Sequence, residues 1–407
     1  MLDQRRRSAI TNPAHAASHH AARFSLAIGG PLYDLYRRAR LLEPPIELLE
    51  RRLAAVVAVA WLPLLVLSLI DGKALTGTRI PFLLDLNVHA RLLIALPMLV
   101  AAEPLIHRSL RAIVRQFVDR ELIAQDDLER FESLIDSTAR MRNSRLAEGG
   151  LLILSTVLAY SLGRTHWSNR PALWYLDVDA NGRQVLNAAG WWYSLVSINL
   201  FRFVILRWYY RLAIWYRFLW RTSGLSLRLN PLHPDRAGGL AFLDQSVIAL
   251  TMVFVAQAIA IASEIGARVL QDGMVIQRVP PELIAVPVIF VVIAALPLAF
   301  FSPALVRAGF RGVLDYGTLS SRYVDAFRAR WMSRHAAEKA DLLGNADIQS
   351  LADLASGYDV AHGIRLIPIA PRLLLAFVGA NALPFLPFLL SVVPLKELLG
   401  RLVNVVL

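Results

Sequence analysis

Arg202 is the most chemically informative residue in the sequence. It lies inside a long stretch rich in Trp, Tyr and Arg that opens at Gly190 and reads as one helix to about Trp220. Counted from Gly190 it is about 18 Å along the helix axis, near a bilayer midplane, where an unpaired charge is expensive. A voltage sensor would repeat Arg at every third position, whereas the following cations are Arg207, Arg211, Arg217 and Arg221. That spacing excludes a voltage sensor, and the later arginines can reach headgroups along their flexible stems. A midplane Arg needs a carboxylate, and Glu103 falls at a depth bracketed by Arg202 and Arg207. An ion pair between Glu103 and either one has two readings: the lining of an anion or proton path, or a buried clasp that fixes helix register.

Other groups carry weaker signals. Arg91 and Glu264 form a second depth-matched pair near the outer face, and Asp244, Gln245 and Gln257 add polarity along the same helix as Glu264. The elbow Asn230–Leu243 (NPLHPDRAGGLAFL) combines two prolines with a glycine pair. In it His233 and Asp235 could hold a cation, or Arg236 an anion at the next helix start, although an ordered structural turn accounts for all three. Asp177, Asp179 and Asn181 match the first half of a calcium loop, but the twelfth position is Ala188 where a bidentate Glu belongs. A plain hairpin turn therefore accounts for them at least as well. His15, His19 and His20 sit in a basic head that reads as unstructured. No HExxH, GxSxG, P-loop or Rossmann glycine pattern occurs, and with no Cys there is no thiolate chemistry. Nothing nominates an enzyme or a cofactor.

The elements that must position these residues follow from composition. Of 407 residues 56% are hydrophobic and 18% charged, and the mean hydropathy is +0.48. That balance excludes an ordinary soluble domain. The net charge of +12 does not imply nucleic acid, because nucleic-acid binders are basic and polar rather than basic and apolar. Seven stretches approach the roughly 20 residues needed to cross a bilayer: 53–70, 88–106, 149–163, 190–220, 241–265, 282–301 and 373–393. The last contains Pro384 and Pro387, so a re-entrant hairpin is the alternative there. With the amino terminus inside, inner segments hold 29 Lys/Arg and outer segments 8, in accord with the positive-inside rule.

The expected organisation is a basic cytoplasmic head (1–52), two spans (53–107), a cytoplasmic amphipathic helix (108–148) and a four-span core (149–306) with an external β-hairpin at 174–187. A cytoplasmic helical segment (307–372) and a last span or re-entrant hairpin with its tail (373–407) complete it. Within the head, Ile46–Arg52 reads as a short helix lying on the membrane surface. In the hairpin, Asn181-Gly182 is expected to form a two-residue turn. In 307–372 a helix to about Leu343 and a second over about 346–356 are expected, broken at Gly344-Asn345.

The elbow HPDRAGGL (233–240) and the segment LLGNADIQSLADL (342–354), followed by Arg365-Leu-Ile-Pro368, resemble a family of bacterial multi-pass inner-membrane proteins of unknown function. The resemblance spans roughly the second half of the chain, implies localisation in the bacterial inner membrane and transfers no activity. The fold class expected is therefore all-α and polytopic, with six or seven transmembrane helices. The leading functional expectation is a channel or transporter for a small solute or ion, its path lined by Glu103, Arg202, Arg207 and Gln257. A membrane scaffold or sensor working through its cytoplasmic helices is the alternative, and a lipid-directed enzyme ranks third. The lipid bilayer is the expected partner; a homo-oligomer and a cytoplasmic protein partner stay open.

Overall fold

The computed structural model describes residues 20–39, 48–167, 173–271, 281–332 and 346–388. After the short amphipathic helix α1 (Pro31–Arg38), α2 (Leu49–Ala60) and α3 (Leu62–Ile70) form the first crossing, with Pro63 in the first turn of α3. The second begins with α4 (Leu86–His89), where the Asp85 carboxylate accepts the Val88 N–H as a cap. It continues through a π-helical turn (Ala90–Ala95) into α5 (Leu96–Asp119). Next come α6 (Leu128–Arg142), α7 (Arg145–Trp167), and the antiparallel strands β1 (Leu176–Val178) and β2 (Gln184–Leu186). Helix α8 (Ala188–Trp192), capped by Asn187, runs through a second π-helical turn (Tyr193–Ser197) into α9 (Ile198–Ser223). Then follow α10 (Gln245–Gln271), α11 (Glu282–Ala295), a 3-10 turn, α12 (Ser302–Trp331), α13 (Ala346–His362) and α14 (Pro371–Ala382).

Among the described residues six helical runs are long and apolar enough to cross a membrane: 49–70, 86–119, 188–223, 241–269, 282–331 and 371–388. The fold is therefore all-α and polytopic, with one small hairpin. Two faces can be named from what they carry. On the amino-terminal face lie residues 20–38, α6 and the elbow; on the hairpin face lie loop 71–85 and β1–β2. Helix α7, which is not one of these six runs, starts at the first face: its first turn meets Arg207 through Glu148. Leu173 is bridged to Ile80 on the hairpin face. The run 371–388 joins the two faces. Arg365 N–H binds the Arg236 carbonyl at the elbow, and the Phe388 ring lies against Gly266 near the far end of α10. Residues 389–407, where a return would occur, lie outside the described residues.

Helix α10 is the centre of the bundle, packed by α4, α5 and α14. Its Phe254, fully buried, sits between Phe290 of α11 and Phe377 of α14, with ring centroids 5.1 and 5.6 Å away. Such aromatic contacts add to the burial of large apolar area that holds the helices in register.

Four expectations need correction. Arg52 does not lie on the membrane surface: α2 is continuous from Leu49, and Arg52 is 0% exposed because it points at Glu103 of α5. The amphipathic stretch 108–148 is not one helix but the end of α5, all of α6 and the first turn of α7. Glu121 takes a left-handed φ of 51°, and Leu122 and Ile123 are buried by strand-like pairing with residues 226–228 rather than on a helix face. The hairpin turn is a three-residue loop in which Gly182 alone adopts positive φ, because Asp179 Oδ1 accepts the N–H groups of Asn181 and Arg183. The second helix of 307–372 extends to His362.

Helices α12 and α13 form an antiparallel pair. Asp347 binds Trp331 Nε1 and Arg330 at 3.0 Å, and Gly312 admits Pro231 so closely that any Cβ would collide with it.

Asp235 organises the elbow. Its Oδ1 accepts Ala237 N–H (2.8 Å) and Gly239 N–H (3.2 Å), and its Oδ2 accepts Ala241 N–H (3.1 Å), while Arg236, Gly238 and Gly239 adopt positive φ. Burial alone would raise the Asp235 carboxyl, but these N–H groups and nearby His233 together lower it below its ordinary value. Its contribution to stability is thus present above the ordinary carboxylate range and lost as pH falls through the depressed value. Asp235→Ala is expected to cost about 1–3 kcal/mol, the penalty for stranded buried donors, and to flatten the acid limb of the stability profile. Thermal unfolding in detergent from pH 7 to pH 3 checks both.

Candidate functional site

The structure divides the polar residues singled out in the sequence into two centres. The first is a clasp around Glu103 on α5, 8% exposed. Glu103 Oε1 accepts Arg207 Nη1 at 2.8 Å and Arg211 Nη1 at 2.9 Å, and Oε2 accepts Arg52. Arg207 and Arg211 stand four apart on α9 and so share one helix face. Arg207 Nε also binds Glu148 Oε1 of α7 at 2.9 Å, and Glu148 Oε2 accepts the Leu32 N–H. Three guanidinium groups thus meet two carboxylates. Backbone carbonyls of the amino-terminal segment add acceptors: Ala27 accepts Arg211 at 3.0 Å, and Ser25 accepts the neighbouring Arg142 at 2.8 Å. This wrap requires Gly29 and Gly30, whose φ values of 126° and 93° suit only glycine. The Arg52 guanidinium stacks 4.9 Å from the Tyr36 ring of α1, whose hydroxyl is pushed up by burial and then by Glu103.

Glu103 therefore pairs with Arg207 but not with Arg202. Five residues at about 100° each leave Arg202 roughly 140° around the helix from Arg207, facing another part of the bundle. Arg52, Arg211 and Glu148 are members of the clasp that sequence reasoning missed. The four-residue step from Arg207 to Arg211 was the available signal for one of them.

The second centre is a chamber of about 310 Å³ on the hairpin side. It brings Arg202 and Gln257 together with Arg91 and Glu264, and adds Arg268. Glu264 Oε2 accepts Arg91 Nη2 at 2.9 Å and Asn87 Nδ2 at 2.5 Å; Ser263 in turn holds Asn87 Oδ1. Gln257 is fixed by Tyr209, whose hydroxyl donates to its Oε1 at 2.5 Å. Arg268 Nη1 is 3.9 Å from Glu282 at the mouth. Three nitrogens in the chamber's arginines, Arg202 Nη1, Arg91 Nε and Arg268 Nε, are buried without a hydrogen-bond partner.

One π-helical turn (Ala90–Ala95) carries the chamber residue Arg91, and the other (Tyr193–Ser197) ends just before the lining residue Ile198. Such turns are rare and recur at functional sites, because the extra residue rotates side chains out of α-helical register. Arg202 and Gln257 each lie fourteen residues from the hairpin-side end of their helical runs (Ala188 and Gln271), about 21 Å along the axis. The chamber thus reaches from that face to about mid-bundle. Below it, Trp208 stacks 4.9 Å from Arg211 and donates its indole N–H to the Leu99 carbonyl at 3.0 Å, tying α9 to α5 between chamber and clasp.

The remaining candidates are engaged locally. Asp177 pairs with Lys73, and Asp179 holds the hairpin turn. His233 Nδ1 lies 2.9 Å from Asp235 Oδ1, while the Arg236 carbonyl accepts Arg365 N–H. Since Asp235 caps the helix start at Ala241, that anion position is already filled. Among the described residues no group of three or more His, Asp or Glu could hold a metal ion. His15 and His19 lie outside the described residues.

Compared with protein-family models, curated proteins and solved structures, the chain matches none of them. The resemblance carried by HPDRAGGL and LLGNADIQSLADL accordingly supports the coarser statement only, a multi-pass membrane protein.

Proposed function

We propose that this protein moves a small anion across the bacterial inner membrane, with its amino-terminal face in the cytoplasm. The observation that carries the reading is the chamber: three guanidinium groups around one carboxylate, a surplus of positive charge reaching to mid-bundle, where charge is costly. The Lys/Arg excess of the amino-terminal face supports the orientation. Trp208 and the Glu103 clasp form the barrier that a passing anion must circumvent, and Arg207 acts there as a structural cation rather than as a stepping-stone. Purified full-length protein in liposomes, loaded with nitrate and diluted into a nitrate-free medium, tests this. Native protein should release nitrate at a rate at least tenfold above Arg202→Gln. Equal release by the two proteins, or none from the native one, overturns the proposal.

A scaffold or sensor is the second reading, favoured by α12. Of its 30 residues only Leu305, Gly312 and Trp331 are buried, and Phe310 is 65% exposed. A folded native protein that releases no anion under any gradient would move the assignment there.

A further inference from the structure

We infer that the chamber is a site for a small monocarboxylate, whose charged end binds Arg202 and Arg91 and whose short hydrocarbon end packs against Phe201 and Ile261. This rests on the reading of the chamber as an anion site and adds the class of anion. The walls are chemically divided. Arg91, Arg202 and Arg268 supply the cationic part, and Ile198, Phe201, Ile205, Ala260 and Ile261 make up the apolar remainder. A halide or hydrated inorganic anion would leave that apolar half against water or against nothing. A carboxylate with a short alkyl tail satisfies both halves at once, as ligand sites generally do with a few placed polar groups on an apolar wall.

Charge narrows the class, and size permits it. With Arg91 held by Glu264 and Arg268 close to Glu282, the surplus is one positive charge, centred on Arg202. That suits a monoanion and disfavours phosphate or a dicarboxylate, whose second charge would lack a counter-ion at this depth. A volume of about 310 Å³ equals the share of on the order of ten liquid waters. It is ample for an acid of a few carbons. Arginine also offers planar paired donors that match a carboxylate.

The test is isothermal titration calorimetry on full-length protein in neutral detergent, with sodium propionate and butyrate against chloride, phosphate, succinate and butyramide. Propionate or butyrate should bind at least tenfold more tightly than the other four. Arg202→Gln should abolish that binding, and Ile261→Trp, which fills the apolar half, should weaken butyrate more than chloride while leaving the unfolding midpoint near native. If Arg202→Gln fails to fold, the Ile261→Trp comparison decides. Chloride or phosphate binding as tightly as the monocarboxylates overturns the class yet leaves an anion site standing. No binding of any anion to folded native protein overturns the class and the anion chamber behind it.

Discussion

Glu103→Gln is expected to cost about 3–5 kcal/mol, the usual penalty for removing one partner of a buried ion pair. The loss is large here because one carboxylate serves Arg52, Arg207 and Arg211 together. Arg52 has two further nitrogens, Nε and Nη1, buried without partners, so it has no second acceptor to fall back on. Purification should yield little monodisperse protein, and what is recovered should unfold well below native. The double variant Glu103→Gln/Arg211→Met restores the net charge of the clasp, at the loss of the Ala27 hydrogen bond and the Trp208 contact of Arg211. It should recover more than half of the lost stability. A single variant as stable as native, or a double variant no better than the single, would show that Glu103 does not hold the bundle together.

Depth along a helix was legible in the sequence; azimuth was not. Counting residues from an apolar boundary placed Arg202, Glu103, Arg91 and Glu264 at useful heights, because every residue adds the same rise. For Arg91 and Glu264 equal height coincided with contact, since α4 and its π-helical turn pack directly on α10. For Arg202 it did not: the choice between Arg202 and Arg207 as partner of Glu103 depends on which way α9 is rotated, and a single sequence carries no measure of that. The two π-helical turns, which re-aim Arg91 and Tyr193, leave no periodic signature either. Arg52 was misplaced because a charged residue before an apolar run resembles a membrane-surface anchor until a buried acceptor is seen. The wrap of residues 25–30 was illegible for another reason. It acts through backbone carbonyls and two glycines, which carry no side-chain pattern.

Arg202→Glu is expected to reverse the ion preference of the protein. The chamber loses its one cation without a carboxylate partner among the described residues and gains a carboxylate, so its net charge changes sign while Arg91–Glu264 and the clasp stay intact. At mid-bundle depth the low surrounding dielectric magnifies this change well beyond its worth in water. An anion that entered favourably should then be repelled, and a small cation admitted.

The most direct test is the reversal potential of native protein and Arg202→Glu in planar bilayers under a sodium nitrate gradient. An anion-selective chamber predicts a native reversal potential on the nitrate side of zero and a variant displaced towards the sodium equilibrium potential. A native value on the sodium side, or a charge reversal that leaves the potential unmoved, would contradict it.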